Sequence, residues 1–260
     1  MLKRDKVRAV FLLFVFMFGC SSTGGATPST QNAAAGNVPI KDFDSLTFNA
    51  PGVLEIVQGE TEALEVSGDP AFVSSIRAEV VDRRLEITAP SDIPPNASIT
   101  YKLFVKNIND IVLNSFGVIK ISALKTDRLG VTINGAGRIQ AGELDADLLT
   151  VKMNGGGSFS ADAIKSKSTD FSARGAGNIS IAGGSADQLN LEMESGSFIG
   201  DDFKSLSAVV TVNGTGTVLV WAVQKLDVKV NGAGRVTYYG EPTMNMSMNG
   251  GGQIRSGGYK

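Results

Sequence analysis

The 260-residue sequence contains no histidine and a single cysteine. Without histidine there is no Ser-His-Asp triad, no Cys-His pair, no HExxH zinc site and no haem histidine. With one cysteine there is no internal disulfide and no CxxC redox site. Proline is scarce, at 8 residues, and the longest unbroken apolar run, Ala9 to Phe18, has ten, where a membrane-spanning helix needs about 20. What is abundant is glycine: 31 residues, in a chain that is 42% hydrophobic and 19% charged. The balance is that of a globular protein of one or two domains, and the glycine excess asks for a repeat that reuses one tight corner.

The apolar run begins the chain's organisation. Lys3, Arg4, Lys6 and Arg8 precede it, and Gly19-Cys20-Ser21-Ser22 closes it, which reads as an export signal over residues 1–19. The only cysteine stands at the end of the run, as in a bacterial lipoprotein signal, so Cys20 is the candidate lipidation site. Phe18, two residues before it, departs from the small residue usual there, and an ordinary secretory signal is the alternative. Residues 20–37 are then a lipidated cysteine and a tether of small polar residues. Removing the signal takes away four cations and Asp5, leaving 20 Lys+Arg against 25 Asp+Glu, so nucleic acid is excluded as a partner. Ser21 and Ser22 lack an Asp retention signal, which favours the outer membrane as the address; the leaflet stays open.

Residues 38–107 alternate apolar and polar side chains in short runs: Ser45 to Phe48, Val53 to Gln58, Ala63 to Ser67, Ile76 to Val81, Arg84 to Ala89 and Ser98 to Val105. Pro90, Pro94 and Pro95 mark a loop, and Asp69 to Ser75 suits a short helical turn. This segment is expected to be irregular, all-β, and to cap the C-terminal part of the chain.

From residue 108 to 260 one phrase recurs. Full copies start at Asn134-Gly135-Ala136-Gly137, Asn154-Gly155-Gly156-Gly157, Asn213-Gly214-Thr215-Gly216, Asn231-Gly232-Ala233-Gly234 and Asn249-Gly250-Gly251-Gly252. Variants start at Asn114, at Arg174 with Gly175 and Gly177, and at Glu194, giving steps of 20, 20, 20, 20, 19, 18 and 18 residues. Positions one, three and five before each corner are mostly apolar, as in Leu129, Val131 and Ile133, while the intervening positions are polar. That period of two specifies a strand with one buried face. Five residues after each corner an apolar residue returns (Ile139, Phe159, Ile179, Ile199, Val218, Val236, Ile254) and opens a second strand. The expected fold is an all-β parallel solenoid with 18–20 residues per coil. Glycine and asparagine suit the corner because both tolerate positive φ, and stacked coils bring the Asn amides within bonding distance, except where Arg174 and Glu194 interrupt the ladder.

These phrases, with Tyr238-Tyr239-Gly240-Glu241-Pro242 leading to the last corner, resemble the putative auto-transporter adhesin head GIN domain family over about residues 43–254. The resemblance implies a right-handed parallel β-helix on an exported, often lipid-anchored protein of the bacterial cell envelope, and no established activity.

Candidate chemistry is sparse. Gly135-Ala136-Gly137 lacks the third glycine of GxGxxG and any GK[ST], so it is a corner rather than a phosphate loop. The residues after the glycines (Arg138, Ser158, Asn178) are not the Asp of calcium-binding repeats, and no metal or cofactor is expected. A polysaccharide lyase or hydrolase needs two carboxylates about 5–10 Å apart; the pairs available are Asp145 with Asp147, Asp201 with Asp202 and Glu192 with Glu194. Each sits near a coil edge as solvated charge, so no catalytic residue is assigned. Met244, Met246 and Met248 read as core of the final strand. Trp221 and Tyr239 each fall one residue beyond an inward position on adjacent coils, which points them outward as a platform for a sugar ring or a partner protein. A register shift, as the period falls from 20 to 18, would instead bury Trp221. The expectation is a noncatalytic binding or adhesion module for glycan or envelope protein; an enzyme acting on polysaccharide and a structural envelope protein are the alternatives.

Overall fold

The computed structural model describes residues 31–32 and 36–260, so the signal, Cys20 and most of the tether lie outside the described residues. It is a β-solenoid of about 7 turns, 66% strand and 2% helix. The repeat coils lie in register at one-coil spacing: Val118–Ile133 pairs in parallel with Arg138–Met153, which pairs with Ser158–Ala173. Further coils continue through Gly184–Met193, Ser197–Val212 and Thr217–Asn231 to Thr243–Asn249.

The period-two pattern accounts for the interior. In Val118–Ile133 the buried residues are Ile119, Ile121, Leu124, Leu129, Val131 and Ile133. Alternation fails where two successive residues face outward, at Ser122-Ala123 and at Asp127-Arg128, and there the strand bends. Together with the Asn-Gly corner, each coil therefore has three sides around one apolar column. The columns are filled by equivalent residues coil after coil, for example Leu129, Leu149, Thr169 and Leu189. Thr169 is fully buried, and its hydroxyl is satisfied by Ser166 Oγ at 2.5 Å. Phe159, Phe171 and Phe198 pack as tilted rings with centroids 6.3 and 5.3 Å apart.

The N-terminal segment closes one end by an order that is not sequential. Ser45–Asn49 lies between Arg84–Thr88 and Asp110–Leu113, parallel to both. Val53–Gln58 likewise lies between Ile99–Val105 and the start of Val118–Ile133. The chain thus lays down one coil, adds residues 84–105 on its outer side, and returns across it to begin the repeat. The outer layer is finished by antiparallel strands: Arg77–Val81 against Arg84–Thr88 and Ala63–Gly68 against Ile99–Val105. Asp82 and Arg83, at φ 48 and 64, make the two-residue hairpin turn between the first of these pairs. The short helix is Pro70–Val73, capped by the Asp69 side chain, which accepts from the Ala71 amide at 2.9 Å. Parallel stacking stops at this end: Ala63–Gly68 and Arg77–Val81 run opposite to the coils, and the short strands Gly36–Val38 and Gln31–Asn32 pair antiparallel on them.

Candidate functional site

The Asn-Gly corners form one edge of the molecule. Asn114 donates to Asn49, Asn134 to Asn114 and Asn154 to Asn134, at 2.9, 2.7 and 2.7 Å. The ladder stops at Arg174 and Glu194 and resumes from Asn213 through Asn231 to Asn249, at 2.9 and 3.2 Å. Asn213 donates instead to Glu192 at 3.3 Å on its lower side. The glycines at these corners are needed for a different reason from the one the sequence suggests. Positive φ occurs at Gly196, Gly232 and Gly250, but not at Gly135, Gly137, Gly155, Gly157, Gly175, Gly177, Gly214, Gly216, Gly234 or Gly252. At all of these but Gly216, packed neighbours come too close for a side chain: a Cβ on Gly155 would stand 2.3 Å from the Gly135 carbonyl oxygen, whereas one on Gly216 would meet nothing nearer than 3.4 Å. The corner at Glu194 is also one residue shorter than its neighbours. Phe198, not Ile199, pairs with Ile179 and enters the core, leaving Ile199 outward and 44% exposed.

The corner opposite in character is charged. Residues 125–128, 145, 147, 165–167, 185 and 187, with Asp44 and Arg83, line an open groove of about 1000 Å³. Its carboxylates are largely engaged: Asp145 with Lys125 at 3.5 Å, Asp147 with Lys167 at 2.7 Å, and Asp44 with Arg83 at 2.7 Å. The hydrogen bond from Arg83 holds the Asp44 carboxyl below its usual range, and that from Lys167 to Asp147 raises the Lys167 ammonium. Two of the carboxylate pairs suggested by the sequence are thus bound to cations, here and at Asp201 and Asp202, which both accept from Lys260. Among the described residues, no group of three or more His, Cys, Asp or Glu side chains is placed to hold a metal ion.

The repeat breaks at one place on a third side. Ser197–Val212 and Thr217–Asn231 pair with two register shifts there: between Gly200 and Lys204, where Asp201, Asp202 and Phe203 are extra, and between Ser205 and Ser207, where the later strand carries one residue more. Phe203 turns into the core and is fully buried, while Asp201, Asp202 and Lys204 are pushed to the surface. Just beyond the bulge Trp221 pairs with Tyr239 on the next coil, as Val220 pairs with Tyr238. Val220 is buried, and Trp221 and Tyr239 are half-buried on the outer side. Lys204 Nζ stands 5.7 Å from the Trp221 ring and Lys260 Nζ 4.9 Å from the Tyr239 ring. Burial works against the Lys260 charge, but hydrogen bonds to Asp201 and Asp202 outweigh it and raise the ammonium above its usual value. With the outward Ile199 and Leu219 on neighbouring positions, this side carries an apolar and aromatic strip edged by ammonium groups. Sequence parity does not point to the bulge residues as part of this strip; the signal for them is the fall in repeat length from 20 to 18.

Residues 42–242 match the family described as "Putative auto-transporter adhesin, head GIN domain". The fold is similar to a "putative adhesin" from Parabacteroides merdae, at 18% identity and TM-score 0.75 over 90% of this chain and 97% of that one. It is also similar to a "putative lipid binding protein" from Parabacteroides distasonis, at 22% identity and TM-score 0.74 over 90% and 98%. A third, a "putative adhesin" from Bacteroides fragilis, gives 18% and 0.61 over 89% and 98%. At these identities the likeness is one of fold. No curated protein matches the sequence.

Proposed function

The chain belongs to the "Putative auto-transporter adhesin, head GIN domain" family, and on that premise we propose that it is a noncatalytic binding or adhesion module of the bacterial cell envelope. The signal-like residues 1–19 export it, Cys20 carries the lipid anchor in the outer membrane, and the tether sets the solenoid away from the bilayer. The strip around Trp221 and Tyr239 takes a glycan or an envelope protein. The observation that carries this reading is the pairing of Trp221 with Tyr239 on adjacent coils, beside the register shifts between Ser197–Val212 and Thr217–Asn231. Coils about 4.8 Å apart set the two side chains side by side, and aromatic faces contribute both apolar area and quadrupole contact to sugar rings or cationic side chains. The carboxylates of Asp145, Asp147, Asp201 and Asp202 are engaged by Lys125, Lys167 and Lys260 and are not presented as a free pair across a groove, as sugar cleavage would need, which favours a binding role. Among the described residues no helix is long and apolar enough to cross a membrane.

The test is a glycan and envelope-protein binding screen of the full chain beside Trp221→Ala. Binding to a member of the panel that falls at least tenfold in the variant, with circular dichroism unchanged, supports the reading. Release of unsaturated or reducing sugar ends from the same panel would favour the enzyme alternative, and a loss of Cys20→Ala from the membrane fraction would support the anchor.

A further inference from the structure

The two ends of the solenoid are finished differently. The N-terminal end is closed by antiparallel strands. At the C-terminal end Thr243–Asn249 pairs with Thr217–Asn231, and Gln253–Ser256 with Arg235–Tyr239; among the described residues neither has a partner on its other side. The interior is consequently open there. Met246 and Met248 are 56% and 51% exposed, whereas Val228 and Val230, beneath them in the same columns, are 3% and 0%. These methionines are core residues by position, as the sequence pattern indicates, but nothing among the described residues covers them. The stretch from Pro242 to Ile254 contains no charged side chain. Edge strands kept from pairing carry lysine, an inward charge or an internal proline, and this one has none of these between Thr243 and Asn249.

We propose that the open coil is a dimerisation surface for a second copy of the chain, docked tail to tail, with Thr243–Asn249 pairing antiparallel to its own copy about a two-fold axis through Met246. The strand is self-complementary in that register. Met246 meets Met246, Met244 meets Met248 on the same inward face, and Asn245 meets Ser247 on the outward face, so apolar faces apolar and polar faces polar. No like charges are brought together, which is the usual penalty of self-pairing. Methionine suits the contact because its unbranched, polarizable side chain repacks against a copy of itself. The partner must offer a free strand edge around an apolar column of the same cross-section, and a second copy of this coil does. Head-to-tail stacking is disfavoured because the N-terminal end is not an open coil: Ala63–Gly68 and Arg77–Val81 run antiparallel to the coils and are themselves partly covered by Gly36–Val38 and Gln31–Asn32, so the contact is isologous and closes at two copies instead of growing into a filament. This inference does not depend on the aromatic strip.

The experiment is sedimentation equilibrium of the full chain in a density-matched detergent, up to about 100 µM, where even a modest interface is populated. The parent is expected at twice the mass of its monomer. Met246→Lys and Met246→Glu should each be monomeric, since identical charges meet at the axis. An equimolar mixture of the two should return to the dimer mass, which also shows that both variants are folded. A monomeric parent at the highest concentration, charged variants that dimerise as the parent does, or a Lys and Glu mixture that stays monomeric would each overturn the proposal.

Discussion

Gly155→Ala and Gly156→Ala make the same chemical change one residue apart, in surroundings that demand opposite outcomes. A methyl on Gly155 would stand 2.3 Å from the Gly135 carbonyl oxygen and 2.8 Å from that of Asn134, whereas one on Gly156 meets nothing within 4 Å. Ordinary contact begins near 3.4 Å, so the coil carrying Gly155 must lift by about 1 Å, an overpacking strain of about 1–3 kcal/mol. Lifting also stretches the Asn154 to Asn134 amide bond, now 2.7 Å, a loss of about 1 kcal/mol. Gly155→Ala is therefore expected to cost about 2–4 kcal/mol, a fall in Tm of roughly 4–16 °C for a chain of this size. Gly156→Ala should be neutral or raise stability by up to about 1 kcal/mol, because alanine restricts the unfolded chain. Thermal and urea unfolding followed by far-ultraviolet circular dichroism, with two-state behaviour checked by coincident probes, measures both. Equal losses in the two variants would refute the stacking argument and return the corner glycines to a purely conformational role.

Other expectations rest on single contacts. Asn134→Ala removes one amide bond to each neighbouring coil and should cost about 1–2 kcal/mol in urea unfolding, whereas Arg174→Asn, which extends the ladder from Asn154, should gain about 0.5–1 kcal/mol. Tyr101 is fully buried with its ring edge-on to Phe48 at 5.2 Å, and its hydroxyl has no hydrogen-bond partner among the described residues. Tyr101→Phe should therefore raise stability by about 1 kcal/mol. Burial also raises the Tyr101 pKa above its ordinary 10.0. The folded state then resists an ionisation that the unfolded chain undergoes, so stability is full below pH 10.0 and is lost as pH rises beyond it. The advantage of Tyr101→Phe should widen above that pH in unfolding titrations.

Much of the solenoid is legible in the sequence because its signals are local. Period-two alternation places Val53–Gln58 at its observed bounds and the other five runs named between residues 38 and 107 within a residue, and the repeated Asn locates the amide ladder and its two interruptions. What local patterns do not encode is which strand lies beside which. Nothing in residues 45–58 or 84–105 announces that the later segment stacks outside the earlier one, since both alternate in the same way. Counting from corners also fails where a corner changes length. The fixed offset selects Ile199, but the three-residue turn at Gly196, at φ 82, brings Phe198 inward. The candidate platform is legible as a parity argument, Val220 in and Trp221 out. Its flanking lysines and carboxylates are not, because they come from a bulge and from Lys260, far apart in sequence. The exposure of Met246 and Met248 comes from being last in the stack, a property of the assembly of coils and not of the strand.

On the proposed function, partner recognition belongs to the Trp221 and Tyr239 side of the solenoid. Phe116 provides a matched comparison: it is an aromatic residue 73% exposed, at a corner of the first repeat coil, outside the strip. Binding of the full chain to the glycan and envelope-protein panel, measured in parallel for the parent, Trp221→Ala and Phe116→Ala, separates this side from the rest of the surface. Trp221→Ala is expected to lose at least tenfold in affinity while Phe116→Ala binds as the parent does. Binding abolished by Phe116→Ala and untouched by Trp221→Ala would contradict the proposed function.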